Sequence, residues 1–294
     1  MKQLSIVATL LLATTMGFSQ TDTLKKSETV DTIKAGNFII IKKNKETGTT
    51  EIEKSSKTGK KEISISINTN NNTAKKSNIS TNWWIFDLGF ANYRDQTNYS
   101  TVQGLGYVRQ IGPGGAVNAN SATLITGKSS NANLWFFMQR LNITKHKLNL
   151  KYGLGLEMYN FRYDRNISFR KDPNPYMFND SISFSKNKLY AGYLTVPLML
   201  NFNATPNKKN GFTISAGVSA GYLIASRNKQ ISAERGKVKY KGDLGLEPWR
   251  FAAIGELGIG PVRLYGSYSL NTLHKKSTGL VQYPYTVGVR FSRW

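Results

Sequence analysis

Six charged side chains stand singly among apolar and small residues: Asp87, Lys151, Glu157, Glu256, Arg263 and Arg290. Each is out of phase with the leucines and aromatics around it. In LNLKYGLGLEMY, Leu148, Leu150, Tyr152, Leu154, Leu156 and Met158 take the even positions, while Lys151 and Glu157 take odd ones. A period of two belongs to a strand with two unlike faces. Glu157 and Glu256 could be imagined as a catalytic carboxylate pair for acid–base work. Three acids against three bases on the same kind of face make mutual neutralisation the better expectation, because an unpaired ion in an enclosed space is costly. These six residues are therefore read as a lumen charge network.

Other chemistries find less support. The chain has no Cys and two His, His146 and His274. Thiolate chemistry is excluded, and a His-rich metal site is not expected. His274 has Ser269 and Ser277 nearby in sequence, the ingredients of a hydrolase or acyltransferase rim, but a lone His beside serines is expected to be solvated. The segment GLGYVRQIGPGG, Gly104 to Gly115, fits neither GxGxxG nor a Lys-Ser/Thr phosphate loop and reads as a turn-forming connection. No catalytic residue, cofactor or metal is expected. Basic side chains are another matter. Arg162, Arg165, Arg170 and Lys171 fall in one connection, and Lys229, Arg235, Lys237, Lys239 and Lys241 in another. They are either a solvated surface or a charge-assisted binding site for lipopolysaccharide phosphates or acidic glycans.

The elements that must position these residues are strands. Eight are predicted: Trp83–Asn92, Ala132–Asn142, His146–Asp164, Leu189–Asn203, Gly211–Ala225, Trp249–Ile259, Val262–Leu273 and Tyr283–Phe291. Their connections alternate in length. Short links lie around Ile143 to His146, around Ala204 to Asn210 and at Gly260-Pro261. Links of up to nearly forty residues follow the first, third and fifth strands. Short turns at one end and long loops at the other mark an outer-membrane barrel. The polar face repeatedly carries Gly89, Gly153, Gly155, Ser215, Gly217, Ser219, Gly221, Gly258, Ser267 and Gly288. Small residues suit the narrow inside of an eight-stranded barrel, which points the oily face toward lipid. Aromatics near strand ends, among them Trp83, Trp84, Tyr93, Tyr163, Tyr190, Trp249, Tyr283 and Trp294, fit the membrane boundary. After Met158 the apolar phase passes to Tyr159, Phe161 and Tyr163, which marks the strand leaving the bilayer, through a bulge or an outer extension.

The chain of 294 residues carries a net charge of +23, of which residues 81–294 hold +17. Such an excess calls for an anionic neighbour. Lys2, the apolar run Ile6 to Met16 and Gly17-Phe18-Ser19 read as a secretory signal peptide over residues 1–19. Export makes nucleic acid an unsuitable partner. Residues 20–80, rich in Lys, Thr, Ser and Asn, read as a mostly disordered extension and linker, with short strands possible at Gly36–Lys42 and Lys61–Asn68. Residues 81–294 read as the barrel.

The order NWWIFDLGFANY, NLWFFMQRLNITKHKLNLKYGLGLEMYNFRY, YLTVPLMLNF and YPYTVGVRFSRW resembles the PorT-like outer-membrane β-barrel family of Bacteroidota over residues 81 to 294. The resemblance implies insertion by the outer-membrane assembly machinery. The secretion role behind the family's name does not transfer, since no residue-level motif carries it. The expectation is an all-β protein: an eight-stranded antiparallel up-and-down transmembrane β-barrel with a flexible N-terminal extension. An even strand count puts that extension and the C-terminus in the periplasm. The expected role is non-enzymatic: structural, surface interaction, or accessory to an envelope or secretion complex, with lipid, lipopolysaccharide and a periplasmic or envelope protein as partners. A narrow channel or small-ligand binder is the alternative, followed by a rim enzyme acting on lipid or peptide.

Overall fold

The computed structural model describes residues 77–206 and 211–292, together with the backbone of three short strands between residues 31 and 52. The leader, the expected strand at Lys61–Asn68 and Trp294 lie outside the described residues, as does nearly all of the linker. The chain divides into two units, Met1–Ala74 and Lys75–Trp294. In the first, β1 (Asp31–Ala35), β2 (Phe38–Lys42) and β3 (Glu51–Ile52) form an antiparallel sheet in that order. Of these, β2 falls within the strand expected at Gly36–Lys42.

The second unit is a closed eight-stranded antiparallel barrel. Its staves are β4 (Ile79–Asp95), β5 (Ser130–Thr144), β6 (Leu148–Arg162), β9 (Lys186–Asn203), β10 (Phe212–Ser232), β12 (Trp249–Ile259), β13 (Val262–Ser269) and β14 (Gln282–Phe291). Each pairs with the next in chain order, and β14 returns to β4 with Arg290 opposite Asp87. Three further strands belong to the long connections. A hairpin of β7 (Ile167–Arg170) and β8 (Tyr176–Asn179) follows β6, and β11 (Gly236–Lys241) pairs with the end of β10.

The polarity is that of a soluble barrel turned inside out. Trp84, Leu88 and Leu264 are 63%, 62% and 57% exposed, while Asp87, Lys151 and Glu157 retain 0%, 2% and 3%. A continuous apolar exterior would drive aggregation in water and suits hydrocarbon. No helix among the described residues is long and apolar enough to cross a membrane.

Local geometry explains the ends. The β5–β6 turn places Lys145 and His146 at positive φ, 46° and 54°, as a two-residue hairpin of matching twist requires. Gly260, at φ 59°, does the same between β12 and β13. Gly89 and Gly288 face each other in register, and a Cβ on Gly288 would lie 2.4 Å from the Leu88 carbonyl oxygen. The aromatic ring of Tyr265 occupies the room they leave, 2.7 Å from the same Cβ position.

The long-loop end is filled rather than open. Tyr159, Phe161, Leu189, Ala191 and Tyr193 point inward there, and Tyr107, Val108, Phe169, Met177, Leu246 and Leu273 of the loops pack onto them. Two expectations change here. Of the bulge or outer extension expected after Met158, the bulge is absent: β6 keeps its facing and runs on to Arg162 without a register shift there against either neighbour. The apolar phase shift at Tyr159 arises because the interior turns from polar to apolar. Tyr93 and Tyr163, expected at the membrane boundary, are buried in that same inner core.

Candidate functional site

The middle of the barrel holds a neutral ionic lattice. Arg290 on β14 grips Asp87 on β4 with two hydrogen bonds, Nε to Oδ1 at 2.7 Å and Nη2 to Oδ2 at 2.6 Å. Its Nη1 also donates to Glu256 on β12. Lys151 Nζ on β6 reaches the other oxygen of Glu256 at 2.5 Å. Indole Nε1 of Trp135 and the Asn133 amide complete Asp87 at 2.7 and 3.0 Å. Nearer the long loops, Arg250 Nη1 donates to Glu157 Oε2 at 2.7 Å, with Ser269 and Ser267 accepting from its other nitrogens. Each ion thus meets an opposite charge, and Asp87, Glu157, Arg250 and Arg290 have further partners as well, which makes their burial tolerable.

The bases in this lattice are Lys151, Arg250 and Arg290, set against Asp87, Glu157 and Glu256. Arg263 is buried in the barrel but stands apart. It lies by the β12–β13 turn and donates to Ser292 and to the Gly260 carbonyl, with no carboxylate in ion-pair range among the described residues. Its place in the charge balance belongs to Arg250. The sequence does signal Arg250, which falls between the outward Trp249 and Phe251 and must therefore point in.

The lattice leaves little space. A cavity of about 20 Å³, lined by Asn133, Trp135, Glu157, Glu256, Tyr265 and Arg290, has room for about one water. Above it the aromatic core closes the long-loop end. Loops from different connections are sewn together there: Tyr107 hydroxyl donates to the Leu244 carbonyl at 2.6 Å, and Gln230 and Asn228 hold β7 inside the β9–β10 extension. Arg235 forks onto Asp180 at 2.7 and 3.2 Å. Burial would raise the Asp180 carboxyl, but the hydrogen bonds from Arg235 and Ser168 outweigh it and hold it below the ordinary value.

His274 is wholly buried, its ring stacked on Phe169 at 6.1 Å and tilted against Tyr107 at 5.9 Å. Burial pulls its pKa down to about 4. The solvated rim position expected from sequence is corrected by this packing.

The loop cations divide into three sets. Arg170 and Arg235 turn toward Asp180, and Arg170 lies 3.6 Å over the ring of Tyr240. Arg165 and Lys171 are exposed, with their neighbours Asp164 and Asp172 at 3.7 and 3.9 Å. Arg162, Lys237, Lys239 and Lys241 instead lie on the outer side of strands. Sequence reading missed Lys186, Lys188 and Arg227, which continue that outer phase on β9 and β10.

A family model described as outer membrane protein beta-barrel domain matches residues 62–275. Two solved structures of Ail, the attachment invasion locus protein of Yersinia pestis, are similar at low identity. One, in complex with the heparin analogue sucrose octasulfate, is 11% identical, with 71% of this chain and 99% of that chain covered and a TM-score of 0.29. The other is 10% identical over 74% and 99%, with a TM-score of 0.30. No curated protein matches the sequence.

Proposed function

The chain belongs to the outer membrane protein beta-barrel domain family, and from that premise we propose that it is a sealed, non-enzymatic barrel that works through the surface of its long-loop end. The observation that carries this reading is the obstruction of the barrel at two levels, by the Lys151–Glu256–Arg290–Asp87 lattice and by the aromatic core above it. Solutes have no continuous path through such an interior. Catalysis at the rim is disfavoured because His274 is packed between rings, away from any substrate.

In this reading the long loops face outward from the cell, and the extension and C-terminus face the periplasm. The exposed cations bind phosphates of lipopolysaccharide or acidic glycans, and the assembly machinery inserts the barrel. An accessory role with an envelope partner remains compatible through residues 20–80. The finer PorT-like kinship rests on the sequence stretches quoted above and assigns no activity.

The test is binding of the vesicle-reconstituted chain to immobilised lipopolysaccharide and acidic polysaccharide over a range of ionic strength. Binding that falls as salt shortens the Debye length from about 10 Å at 0.1 M supports the reading. Binding indifferent to salt, or equal binding to a neutral polysaccharide, overturns it. A second reading has one observation in its favour: a cleft of about 360 Å³ at the loop end, lined by Tyr107, Arg109, Asp243, Lys275 and Ser277, is large enough for a small polar ligand.

A further inference from the structure

The outward face of β9 changes character along its length. Phe202, Leu200, Leu198, Val196 and Leu194 are exposed and apolar; then come Gly192 and Tyr190; then Lys188 and Lys186. The neighbouring strands do the same. A register shift between Leu223 and Ala225 resets β10 so that Arg227 and Lys229 point out, and β6 ends on Arg162. The ladder aligns Arg162, Lys188, Lys229 and Lys239 in one row across β6, β9, β10 and β11. Lys186 and Lys237 flank the row on one side, both opposite Ile231, while Lys241, opposite Arg227, flanks it on the other.

This wall contains no acid at an outward position, and none of its eight cations forms an ion pair among the described residues. Lys188 donates to Asn160 at 2.7 Å, and Arg227 lies 4.4 Å over the Tyr190 ring. The Nε groups of Arg162 and Arg227 are buried with no acceptor among the described residues. Like charges placed directly opposite one another destabilise a sheet. A generic basic rim would spread them round the barrel. Here the wall stands on the strands that run on past the belt: β12 already ends at Trp249, opposite Tyr222 and seven residues short of Lys229, and β13 and β14 end near Tyr268 and Tyr283, stacked at 6.4 Å.

Position selects the occupant. The wall lies on the outside of the barrel, in line with the apolar belt and beyond a tyrosine at its edge. It faces sideways, away from the loop core. What stands beside a barrel at that level is the headgroup layer of the membrane. Strands about 4.8 Å apart give a four-residue row about 14 Å long. That length spans several phosphates of one headgroup rather than a single phosphate.

We propose that this wall is a lateral binding site for the multiply phosphorylated headgroup of an outer-leaflet glycolipid. The inference rests on the outward orientation of the long-loop end given above.

The test uses the full chain folded in phosphatidylcholine vesicles with or without bisphosphorylated lipid A, with loss of the heat-modifiable folded gel band as the readout. The comparison is a triple variant, Lys188→Gln, Lys229→Gln and Lys239→Gln. In phosphatidylcholine alone the variant is expected to melt at a higher temperature than the wild type, because repulsion has been removed. A role confined to holding the sheet together would give the opposite order. Lipid A is expected to raise the wild-type midpoint and to raise that of the variant less than about half as much. The difference should vanish near 1 M salt, where the Debye length is about 3 Å. An equal gain by both proteins overturns the proposal. So does inorganic polyphosphate in plain vesicles if it reproduces the whole effect, since that assigns the wall to a soluble polyanion. Symmetric vesicles present lipid A to both ends of the barrel, so failure of the surface reading is registered only in the binding assay and stays distinguishable.

Discussion

Arg250 on β12 donates to Glu157 on β6 at 2.7 Å, and both side chains are almost fully buried in the barrel. The strands that carry them are separated in the ring by β9 and β10, so the contact ties the wall across its interior rather than along a ladder. Thr195 adds a hydrogen bond to the same carboxylate oxygen at 3.2 Å, and the Arg250 guanidinium lies 4.9 Å from the ring centre of Tyr159. The pair therefore joins the ionic lattice to the aromatic core.

Removing one partner leaves the other as an uncompensated buried charge. Glu157→Gln is expected to destabilise the folded barrel by about 3–5 kcal/mol. The double variant Glu157→Leu with Arg250→Met should recover most of that loss, because the charge leaves with its partner. Urea unfolding in vesicles, followed by tryptophan fluorescence, checks both. A double variant no more stable than Glu157→Gln would mean that the pair does more than neutralise.

Gly288→Ala is expected to destabilise by about 1–3 kcal/mol through overpacking. Its new methyl would meet the backbone of Leu88 and Gly89 at 2.4 and 2.5 Å, with the Tyr265 ring beyond. Gly255→Ala is the control, since the nearest atom to a Cβ there is 3.9 Å away. Equal losses at the two sites in the same unfolding assay would contradict the close approach.

His274 supplies a pH dependence whose sign is fixed. Its closed-state pKa is about 4, against 6.5 when solvated. Between those values the opened cap binds a proton that the closed cap refuses, so closure is strongest above about pH 6.5 and weakens as pH falls toward 4. The full loss corresponds to about 3 kcal/mol. Asp180 and Asp243 are held below the ordinary carboxyl value, so their contributions are lost only at lower pH. Hydrogen-exchange protection of the Leu246 and Lys275 amides, corrected for intrinsic rates, should decline across this window. In His274→Phe, which keeps a ring but has no proton site, it should stay flat.

Much of this fold was legible because a membrane strand must alternate. Trp249–Ile259 was bounded correctly, since Trp249, Phe251, Leu257 and Ile259 keep one phase and turn residues close both ends. The sequence pattern ends β10 at Ala225 because the bulge there inverts the phase, and the continuation to Ser232 carries charges in place of lipid-facing residues. β11, GKVKYK, does alternate, but its outward residues are lysines and its length is short, so it read as a loop. The lattice was partly visible as isolated charges of opposite sign. Which base meets which acid depends on stagger between strands far apart in sequence, so the isolated-charge pattern points to Arg263 where the folded barrel uses Arg250. The burial of His274 was not readable, because it depends on Phe169 and Tyr107 arriving from two other connections.

The sealed interior is tested most directly by conductance. The account predicts that the folded wild-type chain, inserted in a planar bilayer at neutral pH, leaves the membrane insulating under applied voltage. Stable stepwise conductance from the wild-type chain would contradict it, because the lattice and the aromatic core could not then both be in place.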